Sequence, residues 1–138
     1  MKKDYSVEEK KQRAIKRLAE IFYDHWEENR VGSSRIFEHI VPDAWLISGQ
    51  STSGGTYREH IVPCSLIRNQ AIEMYDNQAS TIEVANMIEK HLRIVLISHE
   101  EAGHIDKDLG LKEIMPDGWK FGEGDPLARL HAGGVVLT

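Results

Sequence analysis

Tyr57-Arg58-Glu59-His60-Ile61-Val62-Pro63 is the stretch from which the fold is read. It is a short strand over Thr56–Val62, closed by Pro63, which lacks the N–H that would continue a ladder. Side chains next to each other on a strand point to opposite faces, so Glu59 and His60 diverge unless the strand bends or ends there. An acid directly before a histidine at a strand end is also a compact arrangement for metal-assisted hydrolysis.

Upstream, Ala44–Ser48 reads as a strand. Gly49-Gln50-Ser51-Thr52-Ser53-Gly54-Gly55 then reads as the hairpin loop joining it to Thr56–Val62. That loop lacks a following Gly-Lys-Ser/Thr and leads into a strand, so it is no phosphate cradle. Downstream, Ser65–Tyr75 is a helix with Ile67, Ala71 and Met74 or Tyr75 inward, and Asp76-Asn77-Gln78 turns the chain. Ser80 with Glu83 is a capping-box pattern opening a helix to His91, with Ile82, Ala85, Ile88 and Leu92 on one face. Arg93-Ile94-Val95-Leu96-Ile97-Ser98 is a β-branched apolar run, expected as a buried strand. Ser98 with Glu101 repeats the capping pattern and starts a helix from His99 to Leu109, with Gly110 just past its end. Ala102, Ile105 and Leu109 form the expected packing stripe.

Residues from Val7 to Arg30 form a long amphipathic helix behind the Ser6/Glu9 capping box, with Ile15, Leu18, Phe22 and Trp26 as its apolar stripe. Lys10, Lys11, Arg13, Lys16 and Arg17 read first as a solvated face and second as a phosphate-contacting patch. Gly32-Ser33-Ser34 breaks the helix, and Arg35–Val41 is a short helical turn. Glu38–Pro42 repeats the string Glu-His-Ile-Val-Pro. Its neighbours Phe37 and Asp43 do not match Arg58 and Cys64, so the repeat is a coincidence and His39 is structural or at the surface. Beyond Met115 lie turns around Trp119 and Phe121. Asp125-Pro126 opens a short helix ending at Gly133-Gly134, and Val135–Leu137 supplies a last edge strand.

The 138 residues, 41% hydrophobic and 28% charged, suit one domain with a modest core. A net charge of −5 argues against passive coating of DNA and leaves room for a local basic patch. The single cysteine, Cys64, excludes an internal disulfide and a Cys-based zinc site, and reads as a small buried thiol rather than a nucleophile beside His60. No two of the seven histidines stand at His-x-x-x-His spacing on one helix, against a zinc hydrolase. No apolar run is long enough to span a bilayer, and Met1-Lys2-Lys3-Asp4 leads into a charged helix rather than a signal sequence; the expectation is a cytoplasmic chain without membrane partners.

From Glu59-His60-Ile61-Val62-Pro63 onward, the order strand, long insertion, strand, capped helix resembles the HNH (His-Me finger) endonucleases over roughly residues 60–108. The resemblance implies an α+β fold: a small single domain with a ββα-metal core plus added helices. It divides residues 1–138 into an N-terminal helical part (1–43), an HNH-like core (44–110) and a C-terminal extension (111–138). It also implies hydrolysis of nucleic-acid phosphodiester bonds, with His60 as general base, Glu59 as a metal ligand, and Asp106 or His104 completing the site from the helix. The implied ion is Mg²⁺ or Mn²⁺, with Ni²⁺ or Zn²⁺ as alternatives. The implied partner is nucleic acid, DNA ahead of RNA, contacted through Lys10–Arg17, Arg58, Arg68 and Arg93. Trp45, Trp119 and Tyr57 are either base-stacking or core aromatics.

The small, unadorned form resembles stand-alone phage or mobile-element nucleases, and the long amphipathic helices are compatible with a homodimer. The pattern departs from the family at Ala102, where a helix ligand, His or Asn, is expected. That departure, with the negative net charge, keeps a second reading open: an HNH-like scaffold without cleavage that binds or inhibits another nucleic-acid enzyme.

Overall fold

The computed structural model describes Met1–Thr138 as an α+β domain of six α-helices and one three-stranded sheet. Local capping chemistry sets several of the helix starts. In α1 (Val7–Glu27) the Ser6 hydroxyl accepts from the Glu9 N–H and the Glu9 carboxylate accepts from the Ser6 N–H. Ala14, Ile15, Leu18, Ala19 and Phe22 are buried, and Trp26 packs at the edge of the core. The helix ends three residues before the expected Arg30, because the chain turns through Asn29 at φ 55°.

A short helix α2 (Ile36–Ile40) and a 3₁₀ turn (Asp43–Trp45) lead to β1 (Ile47–Gln50), so the first strand lies a few residues beyond Ala44–Ser48. Next come β2 (Tyr57–His60), α3 (Cys64–Asp76), α4 (Thr81–His91) and β3 (Ile94–Ile97). Helices α3 and α4 pack on each other and on α1, and the Tyr75 hydroxyl donates to the Ala19 carbonyl at 2.6 Å.

The hairpin expected between the first two strands is absent. The strand order is β1-β3-β2, with β1 parallel and β2 antiparallel to β3. Composition gives the physical reason. Ile94-Val95-Leu96-Ile97 is continuously apolar and suits a central strand, whereas Ile47-Ser48-Gly49-Gln50 and Tyr57-Arg58-Glu59-His60 carry polar groups that an edge position leaves near water. A parallel pair also needs a long crossover, and β2-α3-α4 provides it.

The loop after β1 therefore has to cross the end of β3, and it does so in close contact. A Cβ on Gly55 would collide with the backbone of Ile97 and Ser98. Gly55→Ala is expected to destabilise the domain by about 1–3 kcal/mol, read from chemical denaturation; an unchanged midpoint would mean that the loop can lift away.

The α4 stripe is partly rotated from the expected one: Ile88 and Leu92 are buried and Ala85 packs against the core, but Ile82 is not part of it. Ile82 is 72% exposed, while Val84, Met87, Ile88 and His91 are buried. The helix carries apolar residues on two faces, and contact with α1 selects one. His91 contacts the Met87 carbonyl through Nδ1 at 2.8 Å, so Nδ1 carries the proton and Nε2 is left bare, buried and unpartnered beneath Trp119 and Phe121. Burial lowers its pKa from the ordinary 6.5. The unfolded chain then binds this proton at higher pH than the folded one, so His91's contribution is full above 6.5 and declines as pH falls toward the folded-state pKa. His91→Phe is expected to lose less melting temperature than wild type between about pH 7.5 and about pH 5.5. Equal losses would place the acid-sensitive group elsewhere.

After β3 the Ser98/Glu101 capping box forms as expected and opens α5 (His99–Gly103). The single helix expected to Leu109 does not continue in α form. His104–Asp108 is a π turn, a widening frequent at functional sites. Ala102 and Ile105 are buried, Leu109 is 38% exposed, and Gly110 at φ 66° ends the element. The short last helix, α6 (Ala128–Ala132), packs against the π turn. The final residues form a single antiparallel bridge, Ser51 with Leu137, rather than a full edge strand. One hydrophobic cluster of 26 buried residues joins all parts of the chain, from Ala14 through Ile97 to Val135. No helix is long and apolar enough to cross a membrane.

Candidate functional site

The end of β2 forms one wall of an open polar cleft of about 260 Å³. Glu59 and His60 both line it although they alternate along the strand, because the strand stops at His60 and Pro63-Cys64 turns the chain into α3. The two residues then face different neighbours. His60 feels Asp43 and Glu38 from the α2 side besides the Arg129 charge, whereas Glu59 lies among Arg129 and Asp106.

Arg129 is the centre of this second group, and sequence reasoning missed it. Its side chain is almost fully buried at 1% exposure. Nε donates to the Leu111 carbonyl at 2.8 Å, Nη1 to the His60 carbonyl at 2.7 Å, and Nη2 to Glu59 Oε1 at 2.7 Å. Nη2 also lies 3.7 Å from Asp106 Oδ1. One side chain thus ties α6, the end of β2, the segment after the π turn and the π turn itself together. Its only foreshadowing in sequence is the short helix expected from Asp125-Pro126, which in fact begins at Ala128, after a turn over Pro126-Leu127; nothing local marks an arginine as buried.

Burial pushes the Glu59 carboxyl above its ordinary range, with Arg129 opposing and the Asp106 charge adding to the rise. A guanidinium at 2.7 Å is nonetheless at charge-assisted hydrogen-bond distance and keeps the group ionised at neutral pH. Burial lowers the His60 pKa, Asp43 and Glu38 pull against it and the Arg129 charge adds to the fall, so the imidazole is neutral at pH 7. No protein hydrogen bond contributes to that shift, and neither ring nitrogen is sealed off from solvent. His60 is therefore a base available to a bound molecule. Cys64 is different: burial pushes its thiol up to about 12, which removes it as a nucleophile at neutral pH.

Asp106 reaches the cleft on the π turn. His104 does not. It is exposed and its Nδ1 pairs with Asp108 Oδ2 at 2.9 Å, two residues beyond Asp106. Ala102 is buried and offers no donor. Nowhere do three His, Cys, Asp or Glu side chains gather closely enough to hold a metal ion. At the cleft, Glu59 and Asp106 converge on a guanidinium, so the donors present do not fit the metal cage that the sequence pattern implied.

Of the expected phosphate contacts, only Arg58 lines the cleft. Arg68 donates to the Gly32 carbonyl at 3.1 Å. Arg93 borders a separate depression with Trp45, and Arg13, Lys16 and Arg17 line a shallow groove on α1. Lys112, exposed beside the cleft, was not foreseen. Tyr57 borders the cleft edge-on to His99, with ring centroids 5.2 Å apart. Trp119 packs on Phe121 and donates to the Asp125 carbonyl, a structural role.

No family model matches this chain, and neither does any curated protein or solved structure. The functional reading therefore rests on the cleft and on the order of elements around it.

Proposed function

We propose that the chain is a hydrolase of nucleic-acid phosphodiester bonds that works from the cleft at the end of β2, with His60 as general base. The observation that carries this reading is the half-buried, neutral imidazole with unpartnered ring nitrogens in an open polar cleft. Support also comes from the antiparallel pair β2–β3 followed at once by the capped helix α5, with α3 and α4 as the insertion.

In this reading a water molecule at His60 gives a proton to the imidazole as its oxygen attacks phosphorus. The P–O bond to the leaving sugar oxygen breaks, that oxygen takes a proton from solvent, and the imidazolium returns its proton to solvent. Arg58 and Lys112 offer positive charge to the phosphoryl oxygens. With Arg129 they balance Glu59, Asp106 and Glu113, so an incoming phosphate meets no net repulsion at the cleft. A divalent ion, Mg²⁺ or Mn²⁺ first, belongs to this proposal only as an added cofactor for which Arg129 would have to release Glu59.

Two observations favour the second reading, a binding protein on a nuclease-like scaffold: Glu59 is already paired with Arg129, and the buried Ala102 stands where the resemblance implies a helix ligand. Incubation of purified protein with single- and double-stranded DNA and RNA, with EDTA or with each ion, separates the two. Cleavage of any substrate that depends on His60 supports the hydrolase. Intact substrates together with a stable protein complex support the binding protein.

A further inference from the structure

We infer that Arg129 is the resident cation of this site, a positioning residue that fills the place between Glu59 and Asp106 where an HNH-type layout would put a divalent ion. The inference rests on the cleft described above and deepens the proposed reading, but its test does not depend on cleavage.

The first reason is occupancy. Nη2 of Arg129 stands 2.7 Å from Glu59 and 3.7 Å from Asp106, so the guanidinium lies on the side of both carboxylates that a bridging ion would need. A dication brought there would meet a fixed positive charge in a desolvated setting, where repulsion is weakly screened. The second reason is anchorage. Nε and Nη1 are engaged by the Leu111 and His60 carbonyls, so withdrawal of the side chain would leave two backbone acceptors and Glu59 without their partner. The third is the donor count. With His104 paired to Asp108 and Ala102 in the helix, no third ligand approaches the two carboxylates.

Arg129 thus does two jobs of a structural ion. It pairs directly with Glu59 and offsets part of the Asp106 charge, and by holding the His60 carbonyl it sets the end of the strand from which the imidazole projects.

Melting of wild type in EDTA and then in millimolar Mg²⁺ or Mn²⁺ tests this, alongside Arg129→Gln. Wild type is expected to show no saturable shift. Arg129→Gln is expected to melt lower and to regain several degrees with Mn²⁺, because the two freed carboxylates, with the introduced amide oxygen as the third donor that wild type lacks, bind the ion only in the folded form; Glu59→Gln added to it should remove the gain. A saturable Mn²⁺ shift in wild type that Glu59→Gln abolishes would overturn the inference, as would a folded Arg129→Gln indifferent to metal.

If Arg129→Gln does not fold, Mn²⁺-induced broadening of the His60 and Asp106 amide signals in wild type decides. Its absence is expected, and saturable local broadening would refute the resident-cation role. Failure of cleavage would remove the hydrolase proposal and leave these metal results standing.

Discussion

Arg129→Met is expected to cost about 3–5 kcal/mol of stability, measured by urea denaturation, because it leaves the Glu59 carboxylate buried without its counter-ion. Glu59 is 7% exposed and Arg129 1% exposed, so little water can take over the lost contacts. The Leu111 and His60 carbonyls lose their donors as well. A domain of this size has a total stability of about 5–15 kcal/mol, so the variant lies near the threshold of folding. Glu59→Leu combined with Arg129→Met should recover part of the loss, since an apolar pair has no unpaired charge. It should not recover all of it, because the two carbonyls stay unsatisfied. A loss below about 1 kcal/mol in the single variant would mean that the pair behaves as an exposed one.

His60→Ala is expected to lower cleavage by about 10²–10⁴-fold, the usual contribution of a positioned general base. Its effect on melting should be small, since the ring makes no protein hydrogen bond and borders an open cleft that water can fill. Loss of cleavage with an unchanged melting curve separates a chemical role from a structural one. Normal cleavage by this variant would take His60 out of the mechanism and return the cleft to the binding reading.

The two variants probe opposite halves of the same strand end. Glu59 and Arg129 face inward and are tied to each other; His60 faces the α2 side and its ring has no protein hydrogen bond. The sequence pattern paired Glu59 with His60 as ligand and base. Tertiary structure instead gives Glu59 a guanidinium, and that changes what the acid does.

Features set by neighbours in the chain were legible from the sequence. The capping boxes at Ser6, Ser80 and Ser98, and the αL glycine at Gly110, involve groups within a few residues, so side-chain chemistry alone dictates them. The run Ile94–Ile97 announced a buried strand because an all-apolar tetrad has no solvent face. What lay beyond reach depended on distant partners. The order β1-β3-β2 is a competition among strands for the centre of a sheet, which no loop between β1 and β2 reveals. The partly rotated face of α4 follows from its contact with α1, and the π turn at His104–Asp108 has no signal in the local residue pattern. Arg129 reads as an ordinary helix cation until the fold brings it to Glu59, 70 residues away in sequence. The sequence by itself determined the capped helix starts, an apolar buried strand and an acid–histidine pair at a strand end. Only the tertiary structure decided which cation that acid would meet, because a buried charge takes its partner from the fold and not from its neighbours in the chain.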